Sequence, residues 1–172
     1  MQADGGLVPP AVVSLCVAEG AATAFISGPP EGCAPAVPGV PFHIFTPELT
    51  AVWKEHVAEE PDILARQVAL LGRAAAGRLT EEELAAELRD YWLAGSVGRA
   101  YVLGADMFAA IHLAFGKERV LSVLQDPRTL FEAYNAALAA KPEALGRCPR
   151  VPEAAVRQAL AIGKPAEVSP AP

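Results

Sequence analysis

The sequence predicts an all-α fold: a single compact helical domain of about six to eight helices, with a Pro/Gly-rich loop after the first. Three observations carry that expectation. Apolar residues make up 52% of the 172-residue chain and aromatics only 6%, with Ala and Leu dominant, and Ala in particular favours helix over strand. Helix-start signals are followed repeatedly by Gly or Pro stops, which is how a string of helices is punctuated. No stretch sustains apolar–polar alternation and no segment recurs at a fixed interval, so neither a sheet nor a solenoid is indicated.

In order along the chain, Pro9 or Pro10 suits the first turn of a helix running to about Ile26, stopped by Gly28-Pro29-Pro30. Residues 28–41 are dense in Pro and Gly without a period of either kind, which reads as a long ordered loop or surface excursion. Thr46 then Pro47-Glu48 is a helix start, the hydroxyl capping and the proline preset for the first turn. That helix ends near Glu59, and a second begins at Pro61-Asp62 and reaches about Ala76, with Gly77 as its stop. Thr80-Glu81-Glu82-Glu83 is a capping box opening a helix that ends at Gly95. Further helices are expected from about Val97 to Phe115, with Gly116 as stop, from Lys117 to Gln125, and after the Asp126-Pro127 cap through Leu130, Phe131, Tyr134 and Leu138. A last short helix spans Pro152 to about Ile162. Residues 1–164 are read as the domain and 165–172 as a frayed or disordered tail.

Bulk properties exclude some functions. A net charge of −6 disfavours nucleic acid, whose phosphates are bound through Lys and Arg. No basic membrane patch or charged tail is present. The apolar stretch 7–26 lacks the basic start of a signal peptide and carries Glu19 at its middle, so it is read as a buried helix rather than a membrane element. Cys16, Cys33 and Cys148 are odd in number and far apart, with no C-x-x-C pair. A disulfide scaffold or zinc finger is therefore not expected. Scattered thiols suit a reducing compartment and favour the cytoplasm, with localisation otherwise open.

The first helix holds the informative residue. Glu19 shares its face with Val12, Leu15, Cys16, Thr23 and Ile26, while Val13, Val17, Ala21 and Ala24 occupy the other side. Such a helix has no solvent stripe and belongs inside. A carboxylate there must be paired, protonated or bound to a metal, since an isolated buried charge is too costly. The residues leave two readings open: a glutamate satisfied by arginine or backbone donors, and a functional carboxylate.

The string Leu15-Cys16-Val17-Ala18-Glu19-Gly20-Ala21-Ala22 resembles the E-G-x-A helix of gluzincin-type zinc peptidases. Farther on, Tyr101-Val102-Leu103-Gly104 with Met107, then Ile111 and Phe115-Gly116, and finally Pro127, Phe131 and Tyr134-Asn135 resemble the C-terminal part of zinc-dependent peptidases, where the pattern runs Y-x-x-G, a Gly, and F-x-x-Y. The resemblance implies zinc as cofactor, peptides as substrate and Glu19 as the third zinc ligand, downstream of an HExxH helix. It also makes Tyr101 a candidate catalytic residue, its hydroxyl donating to the oxyanion of peptide hydrolysis; a purely structural tyrosine is the other reading.

The departure from that pattern is the HExxH itself. The histidines are His43, His56 and His112, and none begins the motif. Two His on one helix face hold such a zinc while the Glu between them activates water, so this chain supplies one ligand of three. The expectation is the C-terminal portion of a zinc metallopeptidase, inactive and without zinc as this chain alone. It would be prone to self-association through the apolar groove that an absent helix leaves. His112 lies roughly 16 Å along its helix from Tyr101 and reads as a boundary histidine. The alternative is a non-enzymatic helical binding module in which Glu19 is neutralised by Arg99 or Arg73. A ligand-sensing regulatory domain is a third, with no recognition helix to support it. No nucleophile elbow, Walker loop or G-x-G-x-x-G is present.

Overall fold

The structure, a computed structural model, describes residues 32–35, 37 and 46–161. Among them are eight α-helices and no strand, as the punctuation of the sequence predicts. The first predicted helix with Glu19, the tail at 165–172 and most of the Pro/Gly-rich loop lie outside the described residues.

Helix α1 (Pro47–Ala58) starts at the predicted cap, where the Thr46 hydroxyl accepts the Leu49 amide at 3.4 Å. Helix α2 (Glu60–Ala75) follows almost at once and ends before Gly77, whose φ of +63° is the left-handed conformation that stops helices. The capping box opens α3 (Glu81–Glu87): the Glu83 amide donates to the Thr80 hydroxyl at 3.2 Å and the Thr80 amide donates to the Glu83 carboxylate at 2.9 Å. Beyond Glu87 the predicted α-helix gives way to a π turn over Leu88–Trp92, closed by the Leu93 amide on the Leu88 carbonyl at 2.8 Å. The wider turn buries Trp92 and leaves Tyr91 edge-on against it, ring centroids 5.2 Å apart. One extra residue per turn leaves no mark on an apolar period, so this departure is not legible in advance.

Next come α4 (Arg99–Phe115), α5 (Lys117–Gln125), a 3-10 turn (Pro127–Thr129) capped by Asp126, and α6 (Leu130–Ala140). A four-residue helix not anticipated from sequence, α7 (Pro142–Leu145), precedes α8 (Glu153–Ala161). Helix α4 is the centre of the molecule: eleven of its 17 residues are buried, because it packs on α6, α5, α1 and α2. Leu103, Met107, Phe108 and Ile111 meet Ile63 and Leu71 of α2 and Tyr134 of α6 in one core. Burying each such large apolar side chain stabilises the fold by about 1.5–3 kcal/mol. A smaller cluster joins Trp53 of α1 to Val97, Val102 and Ala105, with Tyr101 packed against it.

The surface excursion expected after the first helix is corrected where the chain is described. Cys33, Ala34 and Val37 are buried in the main core. Proline and glycine deny a segment periodicity, but they do not keep its apolar residues out of a core. Among the described residues no helix is long and apolar enough to cross a membrane.

Candidate functional site

Two carboxyl groups meet inside this helical frame. The short break between α1 and α2 puts Glu60 on the first turn of α2 with its side chain turned inward, only 3% exposed. Asp106, in the middle of α4, is 4% exposed. Glu60 donates a hydrogen bond to Asp106. The Asp106 carboxylate also accepts the backbone amides of Cys33 and Ala34. On the same segment the Arg147 guanidinium donates to the Cys33 carbonyl at 2.7 Å and to the Gly32 carbonyl at 2.8 Å. A disulfide joins Cys33 to Cys148, next to that arginine. Gly32 lies so close to Asp106 that a Cβ there would overlap the carboxylate. The second Glu60 oxygen, Oε1, is buried without a hydrogen-bond partner.

Burial governs the charges. It pushes Glu60 up to about 9, helped by the negative charge of Asp106 and by the hydrogen bond in which Glu60 is the donor. Burial also raises Asp106, to about 6, opposed by the Cys33 amide, the Glu60 hydrogen bond and Arg147. At neutral pH the proton therefore sits on Glu60 and the negative charge on Asp106. Like charges this close cannot both persist in a desolvated site. Burial likewise pushes the Tyr134 phenol up, reinforced by Glu60 and Asp106, and its hydroxyl donates to the Pro149 carbonyl at 2.9 Å. Neighbouring Asn135 exchanges two hydrogen bonds with Val151, at 2.8 and 3.0 Å. Helix α6 thus anchors the stretch that carries Arg147 and Cys148.

Donor atoms of Cys33, Glu60 and Asp106 all lie within 4.8 Å of one another, the one such group of three His, Cys, Asp or Glu residues among those described. With the bridge closed, the group does not fit zinc. A disulfide sulfur carries no thiolate charge, and the proton on Glu60 occupies the carboxyl that a metal would need.

The residues singled out in the sequence are not gathered here. Glu19 and His43 lie outside the described residues. Tyr101 stands on the first turn of α4, half-buried against the Trp53 cluster. A separation of five residues on a helix, about 140° around the axis, turns it away from the face of Asp106. His112 is half-buried near the other end of α4. His56, on α1, is buried at 5% exposure. Arg99 pairs with Glu59 at 2.8 Å and Arg73 with Glu83 at 2.8 Å. The three cysteines are not scattered thiols: Cys33 and Cys148 are bonded, a correction to the sequence reading, because 115 residues of separation say nothing about distance in the fold.

Sequence reasoning passed over Glu60, Asp106 and Arg147. A signal for Asp106 was present, since it is the lone carboxylate between Tyr101 and Phe115 on an otherwise apolar helix. Glu60 gave none, being the second of two adjacent glutamates at the break between two predicted helices.

The described residues define an all-helical domain built around a buried, proton-sharing carboxyl pair beneath a disulfide. The chain belongs to the family described as "Putative zinc dependent peptidase (DUF5700)", whose model matches residues 16–143. Neither the curated proteins nor the solved structures contain a match to it.

Proposed function

We propose that this chain is the C-terminal portion of a zinc metallopeptidase of the gluzincin type, in which Glu19 supplies the third zinc ligand and peptides are the substrate. The observation that carries this reading is the extent of the family match, residues 16–143. It opens just before Glu19 and runs past the Y-x-x-G of Tyr101 to Gly104 and the F-x-x-Y of Phe131 to Tyr134. One carboxylate does not hold a catalytic zinc, so the HExxH helix comes from outside these 172 residues and the chain alone is inactive. Zinc, where held, supplies Lewis-acid polarisation of the scissile carbonyl and an acidified water. What this chain adds, on this reading, is an anionic ligand at Glu19 and, in Tyr101, a hydroxyl that donates to a developing oxyanion. The same proposal includes self-association through the apolar surface that the HExxH helix would cover.

The alternative, a non-enzymatic helical binding module, names Arg99 or Arg73 as the partner of Glu19. Among the described residues these guanidiniums pair with other carboxylates, Arg99 with Glu59 and Arg73 with Glu83.

The reading is tested by the in-frame coding DNA upstream of Met1 and by the protein it encodes. An HExxH a few dozen residues before Glu19 is expected, with zinc-dependent hydrolysis of an unfolded peptide substrate that falls by about two orders of magnitude or more in Glu19→Gln. Hydrolysis by the 172-residue chain alone would overturn the proposal, as would full activity in Glu19→Gln.

A further inference from the structure

The buried group on α2 and α4 presents a donor set that the peptidase reading does not use. Cys33, Glu60 and Asp106 converge within 4.8 Å, and Cys148 is covalently joined to Cys33. Glu60 Oε1 is sealed from solvent with no hydrogen-bond partner, an arrangement that leaves a strong acceptor unsatisfied unless a cation or donor reaches it. A Cβ at Gly32 would run into Asp106, so the backbone closes directly over the pair. Two chemical obstacles stand in the way of metal ligation: the sulfurs are bonded to each other, and Glu60 carries a proton that a cation must displace.

We propose that opening the Cys33–Cys148 disulfide converts this pocket into a binding site for zinc or another thiolate-seeking divalent cation, with Cys33, Glu60 and Asp106 as ligands. The site uses none of the residues assigned to the peptidase zinc. One thiolate and two carboxylates supply three of the donors that zinc takes in tetrahedral geometry, the three-ligand count of sites that keep an open position. The chemistry balances. A dithiol gives two electrons and two protons to the bridge, leaving two cysteine thiols and an oxidised, disulfide-form reductant. The incoming cation then displaces the Cys33 thiol proton and the proton on Glu60, both passing to solvent, while Cys148 keeps its own. Arg147, already on the Cys33 and Gly32 carbonyls, and the amides on Asp106 remain to offset the excess negative charge. The consequence is a redox-gated metal site: closed and metal-free when oxidised, metal-binding when reduced.

The test uses the full chain with Co²⁺ as a spectroscopic probe and Zn²⁺ as competitor, before and after reduction with a phosphine, which does not compete for the metal as a dithiol would. The reduced chain should bind one Co²⁺ with a thiolate-to-cobalt charge-transfer band that Zn²⁺ abolishes, and bind it at least tenfold more tightly than the oxidised chain. Cys33→Ser should remove the band. Glu60→Gln, which leaves the bridge intact and changes one atom, should weaken binding at least tenfold while far-UV circular dichroism stays helical. Equal affinity in the two redox states, absence of the band, or undiminished binding in Glu60→Gln would each overturn the site. A metal retained by Cys33→Ser and lost by Glu19→Gln would belong to the peptidase zinc instead and would overturn it too.

Discussion

Asp106 and Arg147 hold the same short piece of chain: the Asp106 carboxylate accepts the amide of Cys33, and the Arg147 guanidinium donates to its carbonyl at 2.7 Å. A segment with no regular structure of its own is thereby given partners for its buried backbone groups. Removing the Arg147 side chain leaves the Gly32 and Cys33 carbonyls without their donors. Arg147→Ala should therefore cost about 1–3 kcal/mol in urea unfolding and speed hydrogen exchange at the Cys33 and Ala34 amides. Unchanged exchange at those two amides would contradict the contact.

Gly32 should resist substitution for a different reason. Its Cβ position is already filled by the Asp106 carboxylate, which sits in a packed core where neither partner can withdraw. Gly32→Ala is expected to lower the thermal midpoint clearly, whereas Gly72→Ala, where a Cβ would meet only the Gln158 side chain at 3.9 Å, should not. Equal tolerance at both positions would show that Gly32 is not pressed against Asp106.

The Cys33–Cys148 bridge predicts a thiol count. Unreduced, denatured protein should yield one titratable thiol from its three cysteines. Replacing both bridged residues with Ser should cost about 2–4 kcal/mol, since the closed loop is long. Three free thiols in protein purified without reductant would show that the bridge is open.

His56 predicts a pH dependence. Burial, then the positive charge of Arg99, holds its imidazole below the ordinary value of 6.5, against Glu59, Glu55 and a hydrogen bond to the Val97 carbonyl, which favour protonation. With the folded value depressed, the unfolded chain takes up the proton first. Stability from the neutral ring is whole above pH 6.5 and is lost as pH falls through that value toward the folded one. The stability difference between the wild-type chain and His56→Gln, measured by denaturant unfolding, should therefore shift against the wild type between pH 7 and pH 5 (a window set by the ordinary histidine value). A difference independent of pH would mean that the imidazole titrates as it does in water.

Much of the fold is legible in the residues because its boundaries are written in local chemistry. Thr46, Thr80 and Asp126 cap where they should, and Gly77 and Gly116 take positive φ where stops are needed. What depends on tertiary contact is not legible: the π turn at Leu88–Trp92, the burial of Cys33 and Ala34, and a bridge between distant cysteines. The carboxyl pair falls between these cases. The reasoning that marks Glu19, a charge inside an apolar helix, applies equally to Asp106 on α4. Glu60 looks like surface until the α1–α2 junction turns it inward. For Tyr101 the resemblance offers a role, but nothing local in the sequence says which side of α4 it takes.

The measurement that bears most directly on the chain's place in its family is the zinc content of the purified 172-residue protein with the Cys33–Cys148 bridge closed. Well below one zinc per chain is expected, unchanged by Glu19→Gln, because a single carboxylate is the only peptidase ligand assigned to this chain. One tightly held zinc per chain, lost in Glu19→Gln, would contradict that assignment by showing a complete ligand set already present.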